Sequence, residues 1–409
     1  STNGTLTAGP VGTGMLNLAG GQLRTLTVAD TTLDNPVTIA ADTLLPAGAT
    51  QKSLTLTGPV LLPGGTRTLT VQIGSNTAGA ALVIARIISD GGMNGALVKA
   101  GSGNLILSND NTYTGGTTIA AGVLQLGVGG NAGSLAGAIV NNGTLVINRS
   151  NSAVMQNLIS GSGTVVISGS GLLSLNPANT YSGMTVINNG SVSYSGSAAM
   201  NGGSFVFGSG TSTSTPGALR FETGVNGAIS SLAVQTNSGL SNTLFAGSGS
   251  VVSVNNGILI GGTAAGGPVS VLSVAGDGRF NVPLSGGAAI LMRSSAVGGT
   301  TATSILNLNG AQTVLGGSIL ITTGSGAGMG VVNLSGGDLD LGGNAIFDAI
   351  RPGTFNAQSG RLQNVGLING GGGLIKSGSG TLTLAGYNTY TGPTSVLSGT
   401  LLLAGTITS

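Results

Sequence analysis

Short windows in which apolar and small polar side chains alternate recur along this chain, and a glycine opens most of them. Gly-x-apolar-x-apolar starts at Gly103, Gly122, Gly143, Gly163, Gly190, Gly278, Gly380 and Gly399, with looser matches at Gly257 and Gly360. Alternation with period two puts every second side chain on one face, as in a strand with one buried side. Gly, or Asn-Gly, ahead of it is turn chemistry, because both residues enter left-handed backbone cheaply. Asn-Gly recurs at Asn94, Asn142, Asn189, Asn256, Asn309 and Asn369. Each beat therefore predicts one turn followed by one strand. Many adjacent beats are 19 to 21 residues apart, a period that favours stacked solenoid coils over hairpins. Coils of about 21 residues would wind about 19 times and stack into a rod roughly 90 Å long. Strong helix formers are scarce, with one Glu and three Lys; a single helical turn at 152–158 is the most helix the sequence predicts.

A longer unit overlies the beat. Residues 97–127 and 374–404 align without a gap at an offset of 277, with 16 of 31 positions identical. Shared between them are Lys99 and Lys376, Gly101 and Gly378, Gly103 and Gly380, Asn111 and Asn388, Tyr113 and Tyr390, Gly115 and Gly392, and Gly122 and Gly399. A weaker third copy at 165–195 keeps Asn179, Thr180, Tyr181 and Gly183, with Ile167 in the lysine position. Residues 197–350 keep no clear copy, and 1–409 reads as one continuous solenoid whose coils diverge there.

The two close copies resemble the autotransporter-associated β-strand repeat, also called the passenger-associated transport repeat. Its pattern, Leu-x-Lys-x-Gly-x-Gly-Thr-Leu-x-Leu followed by Asn-x-Tyr-x-Gly-x-Thr and Gly-x-Leu, is carried by Lys376, Gly378, Gly380, Thr381, Leu382, Leu384, Asn388, Tyr390, Gly392, Thr394, Gly399 and Leu401. Segment 54–71 resembles the lead-in that often precedes such a repeat. The resemblance implies a right-handed parallel β-helix, exported through a bacterial envelope to the cell surface. The sequence starts at Ser1 without Met and ends in LLLAGTITS. We expect a chain from which a targeting segment has been removed, and either a cleaved translocator barrel or a subunit exported on its own.

Composition narrows the chemistry. Glycine supplies 78 of 409 residues, about 19% against a usual ~7%, as tight corners stacked on one another require. With no His, Cys or Trp, the chain offers no Ser-His-Asp or Cys-His nucleophile, no thiolate or imidazole zinc site, and no disulfide; we expect no cofactor and no metal. Charged residues make up 5%, with a net charge of +2, and the basic residues are spread too thinly for nucleic acid. Mean hydropathy is +0.43, yet Arg86 interrupts the best apolar run, 78–88, short of a membrane span. Seven Phe and five Tyr are too few for the aromatic girdles of a membrane barrel.

Among residues able to do chemistry, Asp338 and Asp340 share a strand face in GGDLDLGG, about 7 Å apart. A carboxylate pair could act through water or touch calcium, but an outward polar face with Leu339 and Leu341 inward is the simpler reading. Lys99 and Lys376 recur in the repeat, so a stem packed across a corner fits better than two active sites. Tyr113, Tyr181 and Tyr390 read as buried corner rings, with a sugar-stacking platform as the functional alternative. Asp277 with Arg279 reads as a same-face ion pair, and Glu222 carries no motif. The expected function is structural: a non-enzymatic rod that associates with itself head to tail through the unpaired backbone of its terminal coils, forming an extracellular fibre or layer. The alternative is a passenger adhesin that binds surface glycans or host protein through exposed Thr, Ser and Asn rows, and a polysaccharide lyase or hydrolase using Asp338 and Asp340 comes third.

Overall fold

A computed structural model describes the chain apart from residues 1–4, 7–11, 13, 25–28, 46–51, 74–79, 176–178, 196–202, 209–215, 236–239, 262–268, 285–286, 295–301, 324–328 and 409. Much of the N-terminal segment 1–21 lies outside the described residues. Every glycine of the beat is followed directly by strand or lies within one. Gly103 precedes Asn104–Leu107, Gly122 precedes Val123–Gly130, Gly143 precedes Thr144–Arg149, Gly163 precedes Thr164–Ile167, and Gly399 precedes Thr400–Ile407. Two needs select glycine there. Gly122 and Gly399 have φ of 70° and 71°, where a Cβ clashes with the carbonyl. Gly163 has no such φ, but a Cβ on it would lie 2.3 Å from the Gly143 carbonyl oxygen of the winding below.

The pairings with recorded register are all parallel, and no helix occurs among the described residues. The architecture is a parallel β-solenoid. Residues fall into two compact units, 1–172 with 177–184, and 173–176 with 185–409. In the first, strands Thr31–Leu33, Leu54–Leu56, Leu82–Ile84 and Asn104–Leu107 follow one another on a face that continues through Val123–Gly130 to Thr164–Ile167. A second face carries Gly65–Val71, Gly95–Ala100, Thr117–Ile119 and Ile139–Asn141, and a third Leu16–Leu18, Val37–Ile39, Val60–Leu61 and Ile88–Ser89. In the second unit Ser241–Ala246, Val269–Gly276, Thr303–Leu308, Met329–Asp340 and Thr354–Gln363 stack likewise.

Register explains why the number of windings differs from expectation. Asn104 faces Val123, 19 residues on, and Thr144 faces Thr164, 20 on. Through the divergent stretch Ser241 faces Val271, 30 residues on, and Val269 faces Thr303, 34 on. Among the described residues there are about 14 windings rather than the 19 that a uniform beat predicts. The described strands keep their pairing although more residues separate them. The helical turn expected at 152–158 is also corrected: Ala153–Met155 is a strand, since sheet pairing outweighs a weak local helix preference.

Alternation builds the core. Leu105, Leu124, Leu145 and Val165 are at 0% exposure in successive windings, paired rung to rung. Each such side chain is worth about 1.5–3 kcal/mol when fully buried. Asn-Gly takes the left-handed turn at Asn94 and Asn369, with φ of 55° and 48°. No helix among the described residues is long and apolar enough to cross a membrane.

Candidate functional site

The repeat residues assemble into one corner, built twice. Lys99 ends an inward alternation in Gly95–Ala100 and is at 0% exposure. Its stem crosses the interior and Nζ donates to the carbonyls of Ala100 (3.0 Å), Gly101 (2.8 Å) and Ala121 (3.0 Å). Lys376, also fully buried, donates to Ser377 (2.8 Å), Gly378 (2.7 Å) and Ser398 (2.9 Å). Three ammonium hydrogens meet three carbonyls in each case, so no donor remains for a substrate. Burial lowers the Lys99 pKa to about 8. A Cβ on Gly122 would lie 2.8 Å from Lys99 Nζ, and one on Gly399 2.8 Å from Lys376 Nζ, which ties the repeat's last glycine to its lysine.

Asparagine and tyrosine close the rest of the corner. Asn111 Oδ1 accepts the Ile88 N–H at 2.9 Å while Nδ2 donates to Asn109 and Ser134 carbonyls. Asn388 repeats this with the Val365 N–H at 3.0 Å and the carbonyls of Ala385 and Thr406. Tyr113 and Tyr390 are buried, each hydroxyl 2.6 Å from a threonine hydroxyl, Thr117 and Thr394. Burial raises the Tyr113 pKa above its ordinary value, partly opposed by the Thr117 bond. With Tyr181 also buried, none of these three rings offers a face to a sugar. Gly115 and Gly392 pack against the backbone of the neighbouring winding, at Gly95 and Gly372.

Asp338 and Asp340 do lie side by side outward, with Leu339 and Leu341 at 0% exposure between and after them. Asp338 is in register with Gln312 on one side and Arg361 on the other. Its partial burial raises its pKa, opposed by Arg361 and reinforced by Asp340. Asp340 Oδ1 accepts the Gly342 N–H at 3.0 Å and Asn364 Nδ2 at 2.8 Å, so it closes a turn and ties two windings. The Asp277–Arg279 ion pair is corrected. Asp277 sits in the turn before strand Arg279–Val282, so the same-face rule does not reach it, and Arg279 donates to Asn281 at 2.8 Å. Glu222 pairs with Arg220 at 3.2 Å, and the Arg220 guanidinium lies 4.1 Å from the Phe245 ring centroid.

Two surface features escaped the sequence. On the second unit, Asn356 Nδ2 donates to Asn333 Oδ1 (2.7 Å), Asn333 to Asn307 (2.7 Å) and Asn307 to Ser273 Oγ (3.2 Å), which lies 2.5 Å from Ser241 Oγ. These side chains point the same way off paired strands, a polar rank along consecutive windings. Equal spacing from variable loop lengths cannot be read before register is known. On the first unit, a groove of about 600 Å³ is lined by Asp34, Thr57, Gly58, Pro59, Arg86, Ile87 and Asn109.

The corner geometry is the structural content of a known repeat. The passenger-associated-transport-repeat family matches at residues 97–126, 160–193 and 374–403, the segments that contain both lysine cages and the third copy. The chain is a β-helix protein of the autotransporter-associated repeat type. It is 30% identical over 401 residues to the adhesin BmaC autotransporter of Brucella suis biovar 1 (strain 1330), covering 95% of this chain and 9% of that protein. The chain thus spans less than a tenth of the relative's length. No solved structure matches.

Proposed function

We propose that this β-solenoid is an adhesive stretch of a passenger displayed at or released from a bacterial surface, contacting its target through the outward side chains of successive windings and carrying out no catalysis. The part-exposed rank of Asn307, Asn333 and Asn356, in register on three successive windings, carries the proposal. It fixes uncharged donors and acceptors in a row, with little rotamer freedom left to lose on binding. The likeness to an adhesin over nearly the whole chain supports it, and the internal satisfaction of both lysines argues against two amine-based active sites. The test displays residues 1–409 on a non-adherent bacterial host through an unrelated anchor and counts bacteria retained on epithelial monolayers. Retention above the anchor alone is expected; equal retention overturns the reading.

The likeness to an adhesin favours this reading over the head-to-tail self-association expected from the sequence. Sedimentation velocity of the 409-residue chain tests the latter, and a single species at every concentration removes it.

A further inference from the structure

We infer that the groove lined by Asp34, Thr57, Arg86 and Asn109 is a binding site for an uncharged oligosaccharide segment. The inference deepens the adhesive reading and rests on it only for biological use. The groove's wall is a column of corner positions. Strands Thr31–Leu33, Leu54–Leu56, Leu82–Ile84 and Asn104–Leu107 are stacked in register, and Asp34, Thr57, Arg86 and Asn109 leave their C-terminal ends one winding after another. Rungs about 4.8 Å apart put Asp34 and Arg86 about 10 Å apart along the column.

Each polar side chain is held by one part and presents the other. Arg86 Nε donates to the Thr57 carbonyl at 3.0 Å, which orients the guanidinium and leaves both terminal nitrogens for a ligand. Asn109 Nδ2 donates to the Ala85 carbonyl at 2.8 Å, which leaves Oδ1 as an acceptor. Asp34 Oδ1 takes the Thr57 hydroxyl, which leaves the second carboxylate oxygen. Pro59 and Ile87 add apolar surface, Ile87 at 47% exposure. The floor is bare backbone at Gly58, where a Cβ would lie 2.0 Å from the Asn35 carbonyl oxygen. The volume lies within the range of small-ligand sites.

This chemistry selects the ligand class. Carboxylate and guanidinium cancel, so neither an anion nor a cation is favoured as a whole. Fixed acceptors and donors beside an apolar patch suit a ring with hydroxyls at its edge and C–H groups on its face. A peptide adding as a strand would need unpaired backbone. The wall's backbone is spent: Thr57 N–H bonds to Leu33 O, Ala85 N–H to Leu56 O and Ser108 N–H to Ile84 O.

The test is saturation-transfer NMR of the full 409-residue chain with maltotetraose, chitotetraose and lacto-N-tetraose, with a hyaluronan tetrasaccharide and a random decapeptide pool as contrasts. Any tetrasaccharide that responds is then titrated calorimetrically. We expect a response from at least one neutral tetrasaccharide that is insensitive to salt. Arg86→Ala and Asp34→Asn should each weaken it about ten- to hundredfold, the loss expected for hydrogen bonds to charged groups. Both positions are exposed, and unchanged exchange protection of the Ala85 and Ser108 amides in the variants separates loss of binding from loss of local fold. Asp338→Asn, in the other unit, should bind as the wild type does. No response from any neutral sugar, binding unaffected by Arg86→Ala, preference for hyaluronan that fades with salt, or response from the peptides alone would each overturn the inference. If cell adherence persists in Arg86→Ala while sugar binding never appears, the groove assignment fails and the adhesive reading stands; sugar binding without adherence gives the reverse.

Discussion

Lys99→Met is the most informative single substitution. Methionine keeps much of the apolar stem's bulk and removes the ammonium, so the carbonyls of Ala100, Gly101 and Ala121 each lose the donor that now lies 2.8 to 3.0 Å away. A buried acceptor left without a partner costs about 1–3 kcal/mol, giving a gross loss of about 3–9 kcal/mol. Against this, the variant no longer buries a charge, and that relief returns several kcal/mol. We expect a net destabilisation of about 2–4 kcal/mol, local to the corner. A solenoid couples each winding mainly to its neighbours, so a global melt reads this poorly. Amide hydrogen exchange reads it directly at Gly103 and Ala120, whose N–H groups bond to Val71 and Lys99 carbonyls beside the cage. Protection there should fall about thirty- to a thousandfold, with little change at Val165. Undiminished protection at Gly103 and Ala120 would mean that relief of burial outweighs the lost bonds, and the lysine's place in the repeat would have no structural explanation.

The same lysine gives a pH signature: its folded pKa of about 8 lies below its ordinary value of 10.5, so the unfolded chain binds the extra proton between those values. Wild-type local stability should therefore rise relative to Lys99→Met from pH 8 to 10.5, measured by the protection of the Gly103 and Ala120 amides across that range after correction for intrinsic exchange rates. The Asp90 pKa is lowered too, but for a carboxylate that shift favours the charged form and is stabilising. The Thr114 hydroxyl first, and then the backbone N–H groups of Thr114, Gly92 and Gly95, hold its pKa at about 2. Its contribution should be present above about pH 4 and disappear between about pH 4 and 2, absent in Asp90→Asn, as seen in the exchange of the Gly95 and Thr114 amides. Tyr113→Phe should cost about 1–2 kcal/mol by leaving the buried Thr117 hydroxyl without its partner, and Thr117→Val on top should restore part of that loss.

What could be read from the sequence follows from the range of each interaction. The beat at Gly103, Gly122, Gly143 and Gly163 located strands to the residue, because alternation and turn chemistry are local. The corner residues could be picked out because two copies share them, although the three carbonyls around each lysine come from windings 22 residues apart. Coil length could not be read through 197–350, where the spacing between paired strands grows and Val269 meets Thr303. The groove and the asparagine rank stayed hidden for the same reason. Asp34, Thr57, Arg86 and Asn109 carry no shared motif and become neighbours only when uneven windings are brought into register. Asp338 and Asp340 were conspicuous by spacing alone, and the fold uses Asp340 to tie a turn to Asn364.

The account depends on parallel windings stacked in the stated register, and the chain's lack of cysteine allows a direct measurement. Ile106 and Gln125 are outward neighbours on adjacent windings, and Val146 lies one winding further. Adjacent rungs, at about 4.8 Å, fall within disulfide reach, whereas two rungs, at about 10 Å, do not. Oxidation of the Ile106→Cys, Gln125→Cys double variant should give an intramolecular crosslink in nearly every molecule, mapped by mass spectrometry, while Ile106→Cys with Val146→Cys should remain reduced. Equal crosslinking of both pairs, or of the distant pair alone, would contradict the register and with it the Lys99 corner and the groove.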